Sequence, residues 1–283
     1  MGLWTITSCL ASVAVSTANV AVSTMPADWE LVARSDAVVS AQLSMAGPIG
    51  NSVQIDLRDV NVIAGHAQGS EINITLEGLG QDEIGRIGAL QSERVIVFLG
   101  AYHDRSGKLQ LADDPESALR KYSAEFAKRV KEVAHANQAA FSRAQARKVE
   151  YCSSGGDLQR RVRELVDRLG GESEDVDRSV ESLLALGREA VPYIVCELER
   201  AKGIPVRSLK VRVGDRGFEE YAHYTPEEKV DILDMVLTSI TGASFGSIVN
   251  GATAAQRERA IRGWWVYLGR LMSEDGGAAK PPG

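Results

Sequence analysis

The chain has 283 residues, of which 44% are hydrophobic, 25% charged and 6% aromatic, the balance of an ordinary globular protein long enough for about two domains. A formal net charge of −6 argues against a nucleic-acid binder held by a global basic field, and three cysteines with four histidines are too few for a disulfide scaffold or a multi-zinc protein. No G-x-x-x-x-G-K-[ST] phosphate loop occurs, and the glycines at 78, 80, 85 and 88 lack dinucleotide spacing, so no cofactor is expected.

Residues 1–27 contain no charged side chain and no histidine. Ser16-Thr17-Ala18 and Ala21-Val22-Ser23 both put small residues at the −3 and −1 positions of a signal-peptidase cut, so this stretch reads as an export signal, although the first basic residue is Arg34. Ser, Thr, Asn and small residues dilute it below the composition of a membrane span. Cys9 follows Ile6-Thr7-Ser8 in a lipobox-like order but stands too near Met1, and reads as a small apolar residue of the leader. The expected location is exported, periplasmic or secreted, with membrane contact through the leader only.

Residues 28–113 begin with a short amphipathic segment and then change to period two, the mark of half-buried strands. Strands are expected at 37–43, 52–63, 71–76, 94–101 and 108–111, with a bulge or bend in the second where the alternation shifts phase between Leu57 and Val60. Five short strands suit a small antiparallel barrel or sandwich, and a barrel removes the exposed edges. The order LVARSDAVVSAQL, GSEINITL, SERVIVFLGAY and GKLQL resembles a domain common in exported bacterial proteins. That resemblance implies a five-stranded barrel akin to the oligosaccharide/oligonucleotide-binding and netrin-like barrels, and it brings no catalytic residues. His103-Asp104 and His66 read as ordinary turn residues, and Asn73-Ile74-Thr75 as a chance glycosylation pattern within a strand.

Residues 114–150 are expected to form a connecting amphipathic helix. Pro115 stands near its start, and Leu119, Tyr122, Phe126, Val130 and Val133 make an apolar stripe of core type. Over 118–170 there are twelve Lys and Arg against six Asp and Glu, a local reversal of the overall charge. Three readings stand: a solvated face, a contact with the acidic remainder of the chain, or an anionic partner met by Lys128, Arg129, Lys131, Arg143, Arg147 and Lys148. Acidic residues alternate with the basic ones, which favours the first two, and no nucleic-acid partner is expected.

Residues 151–275 read as an all-α domain, followed by a disordered tail at 276–283. Asp157 is expected to cap one helix, Gly187 to end another in the left-handed conformation, and Pro192 to lie in the first turn of the next. Thr225-Pro226-Glu227-Glu228 and Thr253-Ala254-Ala255-Gln256 both read as capping boxes, and 203–217 as a loop or short hairpin. The stretch VRELVDRLGG…DRSVESLLALGREAVPYI is similar to a HEAT-type repeat, one unit rather than an array.

Gly242-Ala243-Ser244-Phe245-Gly246 matches the nucleophile elbow, but a helix precedes it and no histidine follows it, so it reads as an inter-helix loop with Phe245 plugging the core. Glu219, Glu220, Tyr221, His223 and Tyr224 do not form a recognised metal-ligand set. Cys152 and Cys196 remain once a leader is removed; an oxidising compartment would let them pair, and a buried free thiol at Cys196 is equally natural.

The expectation is therefore an α+β protein: small antiparallel β-barrel, long connecting helix, and C-terminal all-α HEAT-like helical domain. It is expected to be non-enzymatic and to bind a protein partner. The alternatives are an envelope hydrolase using an inter-domain groove with His103 or His223, and a netrin-like inhibitor of a secreted enzyme.

Overall fold

The computed structural model describes residues 28–49, 52–101, 109–112, 114–153, 155–171, 173–206, 209–213, 220–246 and 248–274. The leader, His103, Asp104, Glu219 and the tail lie outside these residues. The architecture is mixed α+β, with one hydrophobic core under an antiparallel sheet and another among the C-terminal helices.

Helix α1 (Asp28–Ala33) serves both cores. Leu31 and Val32 are buried under the sheet, while Trp29 and Ala33 pack against the helical core. Next come β1 (Ala37–Ile49), β2 (Ser52–Gly65), β3 (Glu71–Leu76), helix α2 (Gln81–Ala89) and β4 (Arg94–Ala101). β5 (Leu109–Leu111), the one-turn helix α3 (Pro115–Ala118) and β6 (Leu119–Lys121) complete the sheet, whose order is β3-β2-β1-β4-β5 with β6 also on β4. β3 and β5, the ends of that path, approach one another.

The expected bend in β2 is a bulge. Ser40 faces Asn61 but Gln42 faces Arg58, so β2 carries an extra residue there, and Asp59 takes a φ of 51°. Helix α2 was not expected, because Gly85 and Gly88 thin its pattern. It buries Ile84 and Ile87 one turn apart, and Glu83 closes its start by accepting the Gly80 backbone N–H at 2.8 Å.

One expected element is corrected. The helix does not run from 115, because Leu119 lies in β6 opposite Val97 and Lys121 opposite Val95. The backbone groups of 119–121 are satisfied by β4, in line with β5 along the same strand, and α3 is a one-turn excursion between the two. Ser123 then caps the true helix α4 (Ala124–Ala146), its hydroxyl oxygen accepting the Phe126 N–H at 3.0 Å. Phe126, Ala127, Val130, Val133 and Ala134 of α4 join the sheet's core, while Phe141 and Ala144 join the helical one. The helix is shared between the cores rather than spanning a gap.

The chain continues through α5 (Lys148–Cys152), α6 (Asp157–Arg168), α7 (Ser173–Leu186), a 3-10 turn (Gly187–Ala190) and α8 (Val191–Ala201). It then forms a hairpin of β7 (Leu209–Val213) and β8 (Glu220–Tyr224), followed by α9 (Lys229–Thr241) and α10 (Ala254–Glu274). The C-terminal region is thus not all-α: Leu209, Val211 and Val213 alternate in β7, and their backbones pair with β8. Gly187 has φ 65°, and Pro192 lies in the first turn of α8. A disulfide joins Cys152 of α5 to Cys196 of α8, with Cα atoms 5.5 Å apart.

Two helix starts differ from the sequence expectation. Gly156 rather than Asp157 precedes the first turn of α6. The box at Thr225 is not used, because Asp231 accepts the backbone N–H groups of Glu227 and Glu228 at 2.9 and 3.0 Å and makes Glu228 the cap of α9. The same carboxylate holds Arg257 of α10 through two hydrogen bonds of 2.7 and 2.8 Å, and both side chains are buried. Arg257 also pairs with Glu227 at 3.0 Å and Glu228 at 2.9 Å, so loss of Arg257 leaves Asp231 buried without a cation, whereas loss of Asp231 still leaves Arg257 two carboxylates. At Thr253 the expected box is present, with Gln256 Oε1 accepting the Thr253 N–H at 2.9 Å.

Helices α4 and α10 meet backbone to backbone. A Cβ added at Gly269 would lie 1.9 Å from the carbonyl oxygen of Ala140, so only glycine fits. Gly269→Ala is expected to lower the unfolding free energy by about 2 kcal/mol or more in urea denaturation. Gly85→Ala, at an exposed helical position with open space around it, should raise it by up to about 1 kcal/mol.

Asp234 of α9 is fully enclosed and accepts the Trp264 indole N–H at 2.7 Å. Burial pushes its carboxyl up from 3.8 to about 7, against the smaller opposing effects of Trp264 and the Ile248 backbone. The folded protein therefore keeps a proton that the unfolded chain releases near pH 4, and the associated stability is lost as pH rises through about 7. The melting temperature should fall between about pH 4 and pH 8, and Asp234→Asn should flatten that fall. An unchanged slope in the variant would refute the assignment.

Candidate functional site

The sheet's core and the helical core meet along α1, α4 and α10, and this seam is held by polar side chains. Asn137, buried on α4, donates to the Trp29 carbonyl at 2.9 Å and accepts from Arg270 at 3.0 Å. The Arg270 guanidinium lies 4.9 Å from the Trp29 ring centre. Arg143 reaches the Gly269 carbonyl at 3.3 Å and the Ser273 hydroxyl at 2.5 Å. These contacts need α4 and α10 at close range, which Gly269 permits.

At one end of the seam lies an open groove of about 340 Å³. The α1–β1 corner contributes Ser35 and Asp36, the end of β2 contributes Gly65 and His66, α4 contributes Asn137 and Gln138, and α10 contributes Arg262. Val32, Val38, Ala64, Ala134 and Val266 supply its apolar wall. The corner is rigid for a local reason. Gly65 has φ 73°, a Cβ there would sit 2.0 Å from the Asp36 carbonyl oxygen, and that oxygen accepts the His66 N–H at 3.1 Å.

The groove's two charged side chains are treated differently. Asp36 receives a two-pronged contact from Arg259 of α10, at 3.0 and 2.6 Å, which ties the sheet's corner to the helical core. Arg262, one helical turn on, is exposed; it donates to the neutral Gln138 Oε1 at 3.2 Å and lies over the Phe141 ring at 5.6 Å. Among the described residues it has no carboxylate partner, so the groove carries a positive charge that no described side chain cancels. The Ser35 hydroxyl donates to the Leu31 carbonyl at 2.6 Å, which occupies its proton in closing α1.

A second cavity, of about 570 Å³, lies between α2 and α3. Its polar groups are taken up by local structure: Glu83 closes α2, Asp114 caps α3, and Arg86 pairs with Glu116 across the opening. It joins no distant parts of the chain, unlike the seam groove.

The basic residues singled out from the sequence do not converge. Lys128 pairs with Glu132 at 3.8 Å, Arg129 with Asp28 at 3.0 Å, Arg147 with Glu150 at 3.1 Å, and Lys148 with Glu199 at 2.5 Å while lying over Trp265. Arg143 serves α10 as described, and Lys131 is exposed with no ion pair among the described residues. Most of the excess charge on this stretch is therefore spent within the fold. Ser244 sits in the loop after α9, and Phe245 beside it is buried against Gly263 and, edge-on at 4.9 Å, against Trp264. His223 is in β8 opposite Lys210. Among the described residues no cluster of three or more His, Cys, Asp or Glu side chains could hold a metal ion, and no helix is long and apolar enough to cross a membrane.

Sequence reasoning missed Asp36, His66, Arg259 and Arg262. They come from three separate places in the chain, the α1–β1 corner, the end of β2 and α10, and only the Gly65-His66 turn carried a local signal. No family model matches the chain, and no curated protein matches it either.

If the Asp36–Arg259 pair fixes the corner, a double-mutant cycle with Asp36→Asn and Arg259→Gln should give a coupling of about 1 kcal/mol in thermal or urea unfolding. A coupling indistinguishable from zero would show that the corner is held by packing alone.

Proposed function

We propose that the chain is a non-enzymatic exported binding module for a protein partner, and that the seam groove is its binding surface. In this reading the antiparallel sheet closes as a small barrel of the kind its sequence resembles, a closure favoured by the approach of β3 to β5. The α7–α8 pair, turned at Gly187 and Pro192, is taken as one HEAT-like hairpin within a helical domain that also carries the β7–β8 hairpin.

The observation that carries the reading is the uncancelled charge of Arg262 in a groove assembled from α1, β2, α4 and α10. Rigid walls drawn from both cores hold a concave surface without needing to order it on binding, which lowers the entropic cost of association. Three of the groove's polar groups are occupied in building it: Asp36 by Arg259, Asn137 by Trp29 and Arg270, Ser35 by Leu31. The hydrolase alternative would need a polar pocket containing His103, which lies outside the described residues, or His223 of β8. The netrin-like inhibitor alternative would place the partner on the sheet end instead.

Gln138→Trp would fill the groove from its exposed rim without entering either core. Captured on beads from envelope extract, the wild-type protein is expected to retain a partner that the variant loses, while both melt at the same temperature. A partner retained equally by the variant would remove the groove from the binding surface.

A further inference from the structure

We propose that the groove receives the C-terminal carboxylate of the partner polypeptide on the Arg262 guanidinium, with the partner's last apolar side chain against Val38, Ala134 and Val266. This rests on the binding-module reading and adds the chemistry of what is bound.

Three features carry it. The first is charge. Among the described lining residues the one acid, Asp36, is neutralised by Arg259, and the remaining full charge is Arg262, which donates to the neutral Gln138. A guanidinium offers paired donors at the spacing of a carboxylate, and a charge-assisted pair of this type is about twice as strong as a neutral hydrogen bond.

The second is shape. The groove is open along one side and has a volume of about 340 Å³, at the lower end of ligand-pocket sizes, and it suits a chain end entering from solvent. A small free acid would be better held in an enclosed, mainly apolar cavity. Here Ser35, Asp36, His66, Asn137 and Gln138 line the space beside the apolar wall.

The third is position. Gln138 accepts from Arg262 through Oε1, which leaves its amide N–H groups directed away from that bond at the exposed rim, where a bound peptide carbonyl can accept from them. Phe141 lies 5.6 Å from the guanidinium, a cation–π contact that favours this placement of the arginine at the groove.

The test uses a fluorescein-labelled Gly-Ala-Val tripeptide with a free C-terminus, the same peptide as its C-terminal amide, and octanoate as competitor, read by fluorescence anisotropy against the full chain. The free acid is expected to bind at least tenfold more tightly than the amide. Arg262→Gln should lose at least tenfold for the acid and change the amide little, and Arg262→Lys should recover only part of the loss. Equal binding of acid and amide, or an unchanged affinity in Arg262→Gln with its melting temperature intact, overturns the proposal. Octanoate that displaces the tripeptide at a concentration at least tenfold below that of the unlabelled tripeptide also overturns it, in favour of a small acid. The two readings fail separately: a partner lost in Gln138→Trp with no tripeptide binding removes only the carboxylate, whereas a partner retained in Gln138→Trp removes the groove reading itself.

Discussion

The contact between Ala140 on α4 and Gly269 on α10 sets the spacing on which the rest of the molecule depends. A side chain at 269 would push the helices apart, since its first carbon would overlap the Ala140 carbonyl. With the backbones this close, Asn137 reaches Trp29 and Arg270 together, Arg143 reaches the Gly269 carbonyl, and Arg262 reaches Gln138. Each of those bonds crosses the boundary between helices that belong to different parts of the sequence. Small residues at a helix crossing thus convert one steric allowance into a polar network.

That network explains why the two cores do not behave as separate bodies. Helix α1 contributes Leu31 and Val32 to the sheet's core and Trp29 to the other, and α4 divides its length between them. Asp36 and Arg259 tie the first strand's corner to the last helix across 223 residues of sequence. A groove at such a junction inherits rigidity from both sides. Arg262, which has no carboxylate partner among the described residues, stands on a helix that Arg259 ties to the sheet's corner.

The helical half has its own internal anchor, in which burial and charge satisfaction act together. Asp231 organises the first turn of α9 and, through Arg257, fixes α10 against it. Lys229, one turn away from the core of that pair, has its ammonium turned to the Val166 and Asp167 carbonyls at the end of α6, and burial pulls it below the ordinary lysine range. Helix ends in this region are thus satisfied by side chains from other helices, which couples the order of α6, α9 and α10. Asp234 meets burial with an indole rather than a cation, and burial raises its carboxyl to about 7.

Local periodicity was enough to locate most strands, the bulge after Leu57, the turn at Gly187 and the plug role of Phe245, because each depends on neighbours within a few residues. It also showed that residues 118–170 are locally basic within an acidic chain. Periodicity failed where two structures share a spacing: Leu119 and Tyr122 fit a helix stripe, yet strand β4 had an open edge at Val95 and Val97 and took 119–121 into the sheet. It failed again at α2, whose two buried isoleucines are too few to outweigh its glycines, and at Asp231, whose capping role depends on an arginine 26 residues on. The groove was not legible at all. The charge on a side chain can be read from sequence, but whether a carboxylate stands beside it is decided by packing, and packing paired Arg259 with Asp36 while leaving Arg262 one turn away on Gln138.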